Sequence, residues 1–241
     1  MLYKTRGIVL NHIKYSETSL IVTIYTELFG RQSYIVQGVR GKKSKIRANL
    51  FQPLFLLDME VYHKPKRDLQ RAKEIQNASV FTSLPYDLRK STLAIFMAEI
   101  LYKTIQEQEP NKELFNYLFN SIQILDLKNK GTSNFHIYFL VHLTKYLGFF
   151  PENNYSETNC FFDLKAGGFV QIKPMHFSVL EKEASKVLSQ ILHFSENQHE
   201  DLVFEYKIRI QILEKMVEYY TLHNEGVSGI KSLEVLKEVF H

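Results

Sequence analysis

The stretch Ser19-Leu-Ile-Val-Thr-Ile-Tyr-Thr26 decides the fold of the first part of the chain. Leu20, Val22 and Ile24 fall on one face by period-two alternation, and the residues between them fall on the other. The β-branched residues of the stretch favour an extended backbone. The pattern predicts a β-strand that turns one face towards a core.

Four more predicted strands surround this stretch. The segments 3–14, 31–37 and 54–62 have strand-like composition, and Glu27-Leu-Phe-Gly30 supplies a hairpin turn. A fifth strand fits 68–75, although its composition fits a helix equally well. Five short strands in about eighty residues are typical of a small barrel, and the OB-fold is the commonest barrel of this size.

After Pro85 the hydrophobic period lengthens to three or four residues, which indicates helices. The predicted class is therefore α+β. We expect an OB-fold domain at 1–80 and a helical domain at 81–241, with an irregular insertion at 150–177 that contains several glycines and prolines. The predicted helices cover 93–105, 114–125, 135–147, 178–191, 202–222 and 231–240.

The composition is that of a folded soluble protein. Hydrophobic residues make up 45% of the chain and charged residues 23%, which is ordinary for a globular domain. No apolar run reaches the ~18 residues that a membrane span needs, and the N-terminus has no signal-peptide core. The single cysteine, Cys160, excludes an intrachain disulfide and favours a reducing compartment. We therefore expect a cytoplasmic protein.

Charge is divided unevenly along the chain. Residues 1–80 carry 14 Lys and Arg against 6 Asp and Glu, a net of +8. Residues 81–241 carry 16 against 20, a net of −4. A basic N-terminal part joined to an acidic body predicts a module that binds a polyanion.

The basic charge is concentrated between Gly38 and Arg47, in Gly-Val-Arg-Gly-Lys-Lys-Ser-Lys-Ile-Arg. Five of these ten side chains are cationic and none is acidic. The segment connects two predicted strands, where OB-fold loops meet oligonucleotides. We predict that nucleic-acid phosphates bind here without sequence readout. The predicted binding residues are Arg31, Arg40, Lys42, Lys43, Lys45, Arg47, Lys64 and Lys66.

Aromatic side chains are interleaved with these cations. Tyr25, Tyr34, Phe51 and Tyr62 are candidate platforms for stacking unpaired bases. The alternative places most of them in the barrel core, and for any single one the core is favoured.

Motifs for metal binding or catalysis are weak. Cys160 has no second cysteine at zinc-ligand spacing, and His176, His193 and His199 match no standard ligand pair. The sequence has no Walker loop, nucleophile elbow or dinucleotide fingerprint. We expect no metal, no cofactor and no enzymatic activity.

A series of different short motifs runs along the whole chain in a definite order. They are Thr5-Arg-Gly-Ile-Val-Leu10, Tyr15-Ser-Glu-Thr-Ser-Leu20, Thr26-Glu-Leu-Phe-Gly30 with Arg31, Gly38-Val-Arg-Gly41 with Ser44, Gln52-Pro53, Tyr146-Leu-Gly-Phe-Phe-Pro151, Gly167-Gly168 and Lys231-Ser-Leu-Glu-Val-Leu236. Taken together, they resemble the bacterial RecO family of recombination mediator proteins. Each motif is weak alone, but the ordered set is specific.

This resemblance implies an N-terminal OB-fold, a helical C-terminal domain and a nucleoid-associated location. It also implies binding of single- and double-stranded DNA and annealing of complementary strands. Implied protein partners are RecR, single-strand-binding protein and, indirectly, RecA, which the protein would help to load onto coated DNA.

One feature departs from the family pattern. Many members carry paired cysteines that form a zinc-finger-like site, whereas this chain has only Cys160 there. We expect the loop to hold its shape by packing instead. The candidates for this small core are Phe161, Phe162, Phe169 and Val170.

The tail of single-strand-binding protein is acidic and ends in an apolar residue, so its pocket should pair a cation with apolar surface. Lys103, Lys145, Lys207 and Arg209 lie on predicted helices and are the candidates. The alternative for each is a solvated helix face.

Two other functions stay open at the level of sequence. One is an RNA-binding OB-fold protein without a mediator role, because the electrostatics would be the same. The other is a metal-dependent nuclease that uses Asp58 and Glu60, which lie two apart on a predicted strand.

Overall fold

The computed structural model describes residues 1–39, 47–194, 202 and 204–240. The predicted class, a barrel followed by helices, is confirmed. The strands are β1 (Leu2–Lys14), β2 (Leu20–Thr26), β3 (Gly30–Val36), β4 (Leu56–Tyr62), β5 (Leu69–Asn77), β6 (Phe161–Asp163), β7 (Gly168–Val170) and β8 (Val179–Leu180). The helices are α1 (Leu88–Thr104), α2 (Lys112–Leu127), α3 (Phe135–Tyr146), α4 (Lys182–His193), α5 (Tyr206–His223) and α6 (Ser232–Val239), with 3-10 turns at Ala48–Phe51 and Thr132–Asn134.

The first five strands form a closed barrel in the order β1-β2-β3-β5-β4. Strand β1 closes it, because residues 2–8 pair with β4 and residues 7–14 pair with β2. A register shift between Val9 and Asn11 lets the strand turn from one neighbour to the other. The fifth segment is a strand, not a helix, and it pairs with both β3 and β4.

Period-two alternation separates the inside of the barrel from its outer face. On β2, Val22 and Ile24 are fully buried in the core, as the pattern predicts. On β4, Leu57, Met59 and Val61 point inwards in the same way. The remaining buried core residues are Val9, Leu20, Tyr34, Val36, Val39, Phe51 and Ile75.

Packing divides the chain into two compact units, Met1–Leu127 and Lys128–His241. The predicted boundary near residue 80 marks the change from strands to helices, whereas packing keeps α1 and α2 with the barrel. Arg6 of β1 is one of the residues through which the barrel contacts α2. It pairs with Glu27 through two hydrogen bonds of 2.9 Å and lies 4.8 Å from the centre of the Phe119 ring on α2.

A buried carboxylate joins the end of α2 to the segment before α1. Asp126 accepts hydrogen bonds from the backbone N–H groups of Thr82, Ser83 and Leu84 at 2.7–2.9 Å. Its carbonyl oxygen accepts a hydrogen bond from the Nζ of the buried Lys90 at 2.7 Å. These bonds satisfy the buried N–H of Leu84 and the partly buried N–H groups of Thr82 and Ser83.

The second unit contains α3 to α6 and a three-stranded sheet in the order β7-β6-β8. Strands β6 and β7 lie within the insertion at 150–177, which has no other helix or strand, and β8 follows it. The predicted packing is confirmed for Phe162 and Phe169, which are buried, while Phe161 and Val170 are half-buried. Asn154 holds the loop by hydrogen bonds to both backbone groups of Phe169, at 2.7 and 3.1 Å.

Within the described ranges, no helix combines the length and the apolar character that a membrane span requires.

Candidate nucleic-acid interface

The basic segment leaves the barrel beside the β1–β2 turn. The Val39 N–H donates to the Thr18 carbonyl oxygen at 2.9 Å, and Gly38 has a φ of +71°, which suits glycine. At the other end of the segment, Arg47 is exposed. The predicted binding residues Arg40, Lys42, Lys43 and Lys45 lie outside the described residues.

Lys64 and Lys66 lie on the β4–β5 turn, and their side chains are exposed. The buried Gln70 shapes this turn, since its amide accepts from the Lys64 N–H at 3.0 Å and donates to the Arg67 carbonyl oxygen at 2.6 Å. The turn therefore presents three cations in succession, including Arg67, which the predicted set left out.

The Lys64–Lys66 turn and Val39, the last described residue before the basic segment, lie at opposite ends of β2. His63, next to Lys64, stacks on Phe29 of the β2–β3 turn with ring centres 3.9 Å apart. The Val39 N–H instead donates a hydrogen bond to the β1–β2 turn, at the opposite end of β2. A strand of seven residues separates the two turns by about 20 Å.

Arg31 has a different role from the predicted one. Its Nη1 donates to the carbonyl oxygens of Tyr102 and Ile105, each at 2.6 Å, at the C-terminal end of α1. Its guanidinium also lies 4.5 Å from the centre of the Tyr102 ring. Burial lowers the pKa of Arg31. Because these donors hold α1 on the barrel, we remove Arg31 from the phosphate-binding set.

The stacking candidates are corrected as well. Tyr25, Tyr34 and Phe51 are at most 1% exposed, so bases cannot reach them. The barrel-core alternative is confirmed for Tyr34 and Phe51, whereas Tyr25 is buried beside Phe115 of α2. Tyr62 is 45% exposed and remains a candidate. Tyr15 is 61% exposed and was not among the predicted stacking residues. Its two-residue spacing from Ile13 at the end of the first strand was the signal that could have added it.

Asp58 and Glu60 share the outer face of β4, as their spacing predicts, and line a groove of about 440 Å³. The groove also contains cations that neutralise its carboxylates. Glu60 accepts from Lys73 Nζ at 2.9 Å and lies 3.6 Å from Lys4 Nζ. The hydrogen bond from Lys73 lowers the pKa of Glu60. In the described ranges, no three His, Cys, Asp or Glu residues are grouped as metal ligands would be.

The residues around Cys160 do not fit the zinc site that the family resemblance implies. The chain has one cysteine, and its thiol is buried. His176 lies 3.4 Å from Asp163, and His193 contacts the Asn153 amide at 2.7 Å. His199 lies outside the described residues. Hydrogen bonds and the β6–β8 sheet hold this region instead.

The four partner candidates are spread over both units. Lys103 of α1 lies 3.8 Å from Glu99 in the first unit. Lys145 and Lys207 are exposed, at the end of α3 and the start of α5. Arg209 Nε donates to the Asn134 side chain at 2.8 Å, which ties α5 to the start of α3. Burial lowers the pKa of Arg209.

The fold and its exposed turn cations define an OB-type barrel protein with a helical C-terminal region. The family model "Recombination protein O N terminal" matches residues 1–81, and "Recombination protein O C terminal" matches residues 85–234. The chain therefore belongs to the RecO family, which acts in recombinational DNA repair. The limits of the two family models lie close to the predicted boundary near residue 80.

The chain is similar to other proteins over its full length. Three proteins described as DNA repair protein RecO are similar to it, and each comparison covers 100% of both chains. They come from Phocaeicola vulgatus (38% identical over 240 residues), Bacteroides fragilis (39% over 241) and Flavobacterium psychrophilum (38% over 242).

Proposed function

We propose that this protein is a non-enzymatic DNA-binding recombination mediator. It anneals complementary single strands and, with RecR, helps to load RecA onto DNA coated by single-strand-binding protein. The observation that carries the proposal is the basic OB-type barrel of a RecO family member, whose residues 1–80 have a net charge of +8. A nucleoid-associated location follows from the same proposal.

DNA is held through its phosphates. Arg47, Lys64 and Lys66 are exposed, and their side chains make no ion pair with the described residues. The proposed set of phosphate-binding residues also includes four cations known from the sequence: Arg40, Lys42, Lys43 and Lys45. Cations that contact phosphates release counterions, which favours binding without sequence preference.

Salt dependence tests these contacts. If five cations contact a single strand, log K should fall against log salt with a slope of about −3.5, at roughly 0.7 per phosphate. Changing Arg40, Lys42, Lys43 and Lys45 to Gln should flatten the slope by about 3. A matched control changes four exposed lysines of the second unit and should leave the slope unchanged: Lys130, Lys165, Lys182 and Lys186. Equal slopes in both variants would contradict the assignment.

The mediator role requires protein partners. We retain Lys103, Lys145 and Lys207 as candidates for the acidic tail of single-strand-binding protein, because a cationic side chain suits the carboxylates of that peptide. Charge reversal at each residue should weaken retention of a tail peptide in a pull-down. Retention by all three variants would remove these residues from the proposal.

A strand-annealing assay with and without single-strand-binding protein tests activity and partner together. Faster annealing in the presence of the protein is the expected result. Competition between DNA and RNA of equal length separates the mediator from an RNA-binding protein, since preference for RNA would support the latter.

A further inference from the structure

One short loop of the second unit exposes three large apolar side chains. It covers residues 171–178 and joins β7 to β8. We call it the apolar loop. Ile172 is 82% exposed and Phe177 is 93% exposed, while Met175 is fully exposed. Apolar side chains that are concentrated on a surface in this way mark sites of interaction with another molecule.

Hydrogen bonds hold the backbone of the apolar loop in place. The Phe177 carbonyl oxygen accepts from Lys215 Nζ of α5 at 2.6 Å and from the Val179 N–H at 2.9 Å. The Ser178 carbonyl oxygen accepts from the Leu164 N–H, next to β6, at 3.1 Å. The exposed side chains are therefore presented on a backbone that is already ordered, which lowers the entropic cost of binding.

The core beside this loop is built from other residues. Phe162 and Phe169 are buried, with ring centres 5.0 Å apart. Tyr219 of α5 joins them, with its ring centre 5.8 Å from that of Phe162. The exposed side chains of the apolar loop take no part in this cluster, so its packing does not explain why they are apolar.

The charges of the apolar loop are paired within the second unit. The loop has two ionisable side chains, Lys173 and His176. Lys173 forms an ion pair with Glu181 at the start of α4, and His176 Nε2 lies 3.4 Å from the Asp163 carboxylate. The loop therefore has no unpaired cation of its own for a polyanion, and the surface that complements it is apolar.

A second copy of the chain supplies such a surface in the same loop. At about 150–250 Å² for a large side chain, the three side chains expose roughly 500 Å² on each copy. Two copies that face each other would bury about 1,000 Å², the lower limit for a specific interface. Contact through the same patch on both copies closes at two chains. Because Lys173 and His176 are paired within their own chain, the two loops meet without strong repulsion.

We propose that the apolar loop packs against the same loop of a second copy of this chain, which makes the protein a weak, reversible dimer. An interface of this size predicts a dissociation constant in the micromolar range. The inference goes beyond the proposed function and does not depend on it, because the contact lies in the second unit and DNA is held by the barrel.

Sedimentation velocity of the full chain tests the dimer. Between roughly 1 and 100 µM, the average mass should rise from that of one chain towards that of two. The double variant Met175→Ser with Phe177→Ser should weaken the dimer at least about tenfold. Its thermal unfolding should be unchanged, because both side chains lie outside the core. The dimer should persist at about 1 M salt, since screening does not weaken an apolar contact.

A matched control removes two exposed apolar side chains of the first unit. Tyr86 and Leu88 are 81% and 72% exposed, and the double variant Tyr86→Ser with Leu88→Ser should dimerise as the unchanged chain does. Cross-linking locates the contact. Met175→Cys treated with a short bis-maleimide should give a covalent dimer, whereas Leu88→Cys should give none. The native thiol, that of Cys160, is buried.

Other results would overturn the proposal. The mass of a single chain at every concentration would exclude the dimer. A dimer that the Met175 and Phe177 variant retains would place the contact elsewhere. If that variant loses a different protein while the unchanged chain stays monomeric, the loop is a docking site for that protein instead. A chain that dimerises as expected but binds no DNA would refute the proposed function and support the dimer.

Discussion

Two buried ionisable side chains, one in each compact unit, have opposite charge states. In the first unit, Asp126 is 5% exposed and stays charged, because three backbone N–H groups donate to it. In the second unit, His136 is 1% exposed and stays neutral, because burial, followed by the charge of Arg209, lowers its pKa to about 3. The surroundings of Asp126 stabilise its charged form, whereas the surroundings of His136 disfavour its charged form.

Surface cations are paired in both parts of the molecule, but their number differs. In the second unit, Lys215 pairs with Glu218 and Lys237 with Glu214, both at 2.8 Å. On the barrel, Lys73 pairs with Glu60 at 2.9 Å, whereas Lys64, Lys66 and Arg71 make no ion pair with the described residues. The net charge of +8 in residues 1–80, against −4 in the rest of the chain, is the difference that favours the barrel as the part that binds a polyanion.

The largest effect should come from Asp126→Ala. The change removes the acceptor of three backbone N–H groups, of which that of Leu84 is buried and those of Thr82 and Ser83 are partly buried, so the free energy of unfolding should fall by about 4 kcal/mol. Asp87→Ala is the control, because Asp87 only caps α1 at an exposed site and should cost about 1 kcal/mol. Urea unfolding measures both, and equal losses would contradict the role of Asp126.

Asp126 also predicts a pH dependence. Burial raises the pKa of Asp126, but the hydrogen bonds from Thr82, Leu84 and Ser83 outweigh burial and lower it. The stabilisation is therefore complete above the unfolded pKa of about 3.9 and is lost as the pH falls towards the folded value. The unfolding of Asp126→Ala should lack this acid-dependent loss.

Gly30→Ala tests whether the segment between α1 and α2 belongs to the first unit. Gly30 has a φ of +58°, and an added Cβ meets backbone at 2.4 Å, so we expect a loss of about 3 kcal/mol. Gly38→Ala is the control, because its φ of +71° is similar but the space around it is open. That variant should lose about 1 kcal/mol. Similar losses in the two variants would contradict the close contact.

His136 should make the second unit sensitive to mild acid. Its pKa of about 3 lies below the unfolded value of about 6.5, so the unfolded state binds more protons between these limits and stability falls as the pH falls. The loss between pH 7 and pH 5 should be about 2 kcal/mol. His136→Gln should flatten this dependence, whereas His12→Gln, at an exposed site, should leave it unchanged. An unaltered pH profile in His136→Gln would refute the assignment.

The smallest effect separates buried tyrosines. Tyr220 donates its hydroxyl to the Leu140 carbonyl oxygen at 2.7 Å, whereas the Tyr34 hydroxyl is buried with no hydrogen-bond partner among the described residues. Tyr34→Phe should therefore raise the free energy of unfolding by about 1 kcal/mol, and Tyr220→Phe should lower it by a similar amount. Thermal unfolding of the two variants measures the difference, and shifts of the same sign would be inconsistent with it.

Much of the fold was predictable because it depends on local periodicity. The strand of residues 19–26 and the helix stripes were placed within a few residues of their observed limits. The segment 68–75 was ambiguous, since its side chains suit a helix, and only pairing with β3 and β4 made it a strand. The sheet in the expected irregular insertion was missed, because its strands have two or three residues and leave no period to detect.

The candidate site was predictable in charge but not in detail. The excess of cations before residue 80 indicated a polyanion, and this inference needed only a count. Which cations are available depends on distant residues. Arg31 donates to carbonyl oxygens more than seventy positions away, a contact that no local pattern shows.

The sequence by itself determined the alternation that builds the barrel, the helices that follow it, the uneven charge and the single cysteine. These properties depend on residue type and short spacing, which folding does not alter. Only the tertiary structure decided that α1 and α2 pack with the barrel and that Tyr25, Tyr34 and Phe51 are buried. It also decided that Tyr15, Arg71 and Tyr62 are exposed. The register of a closed barrel decides which distant side chains become neighbours, and a one-residue shift would send each of them to the opposite face.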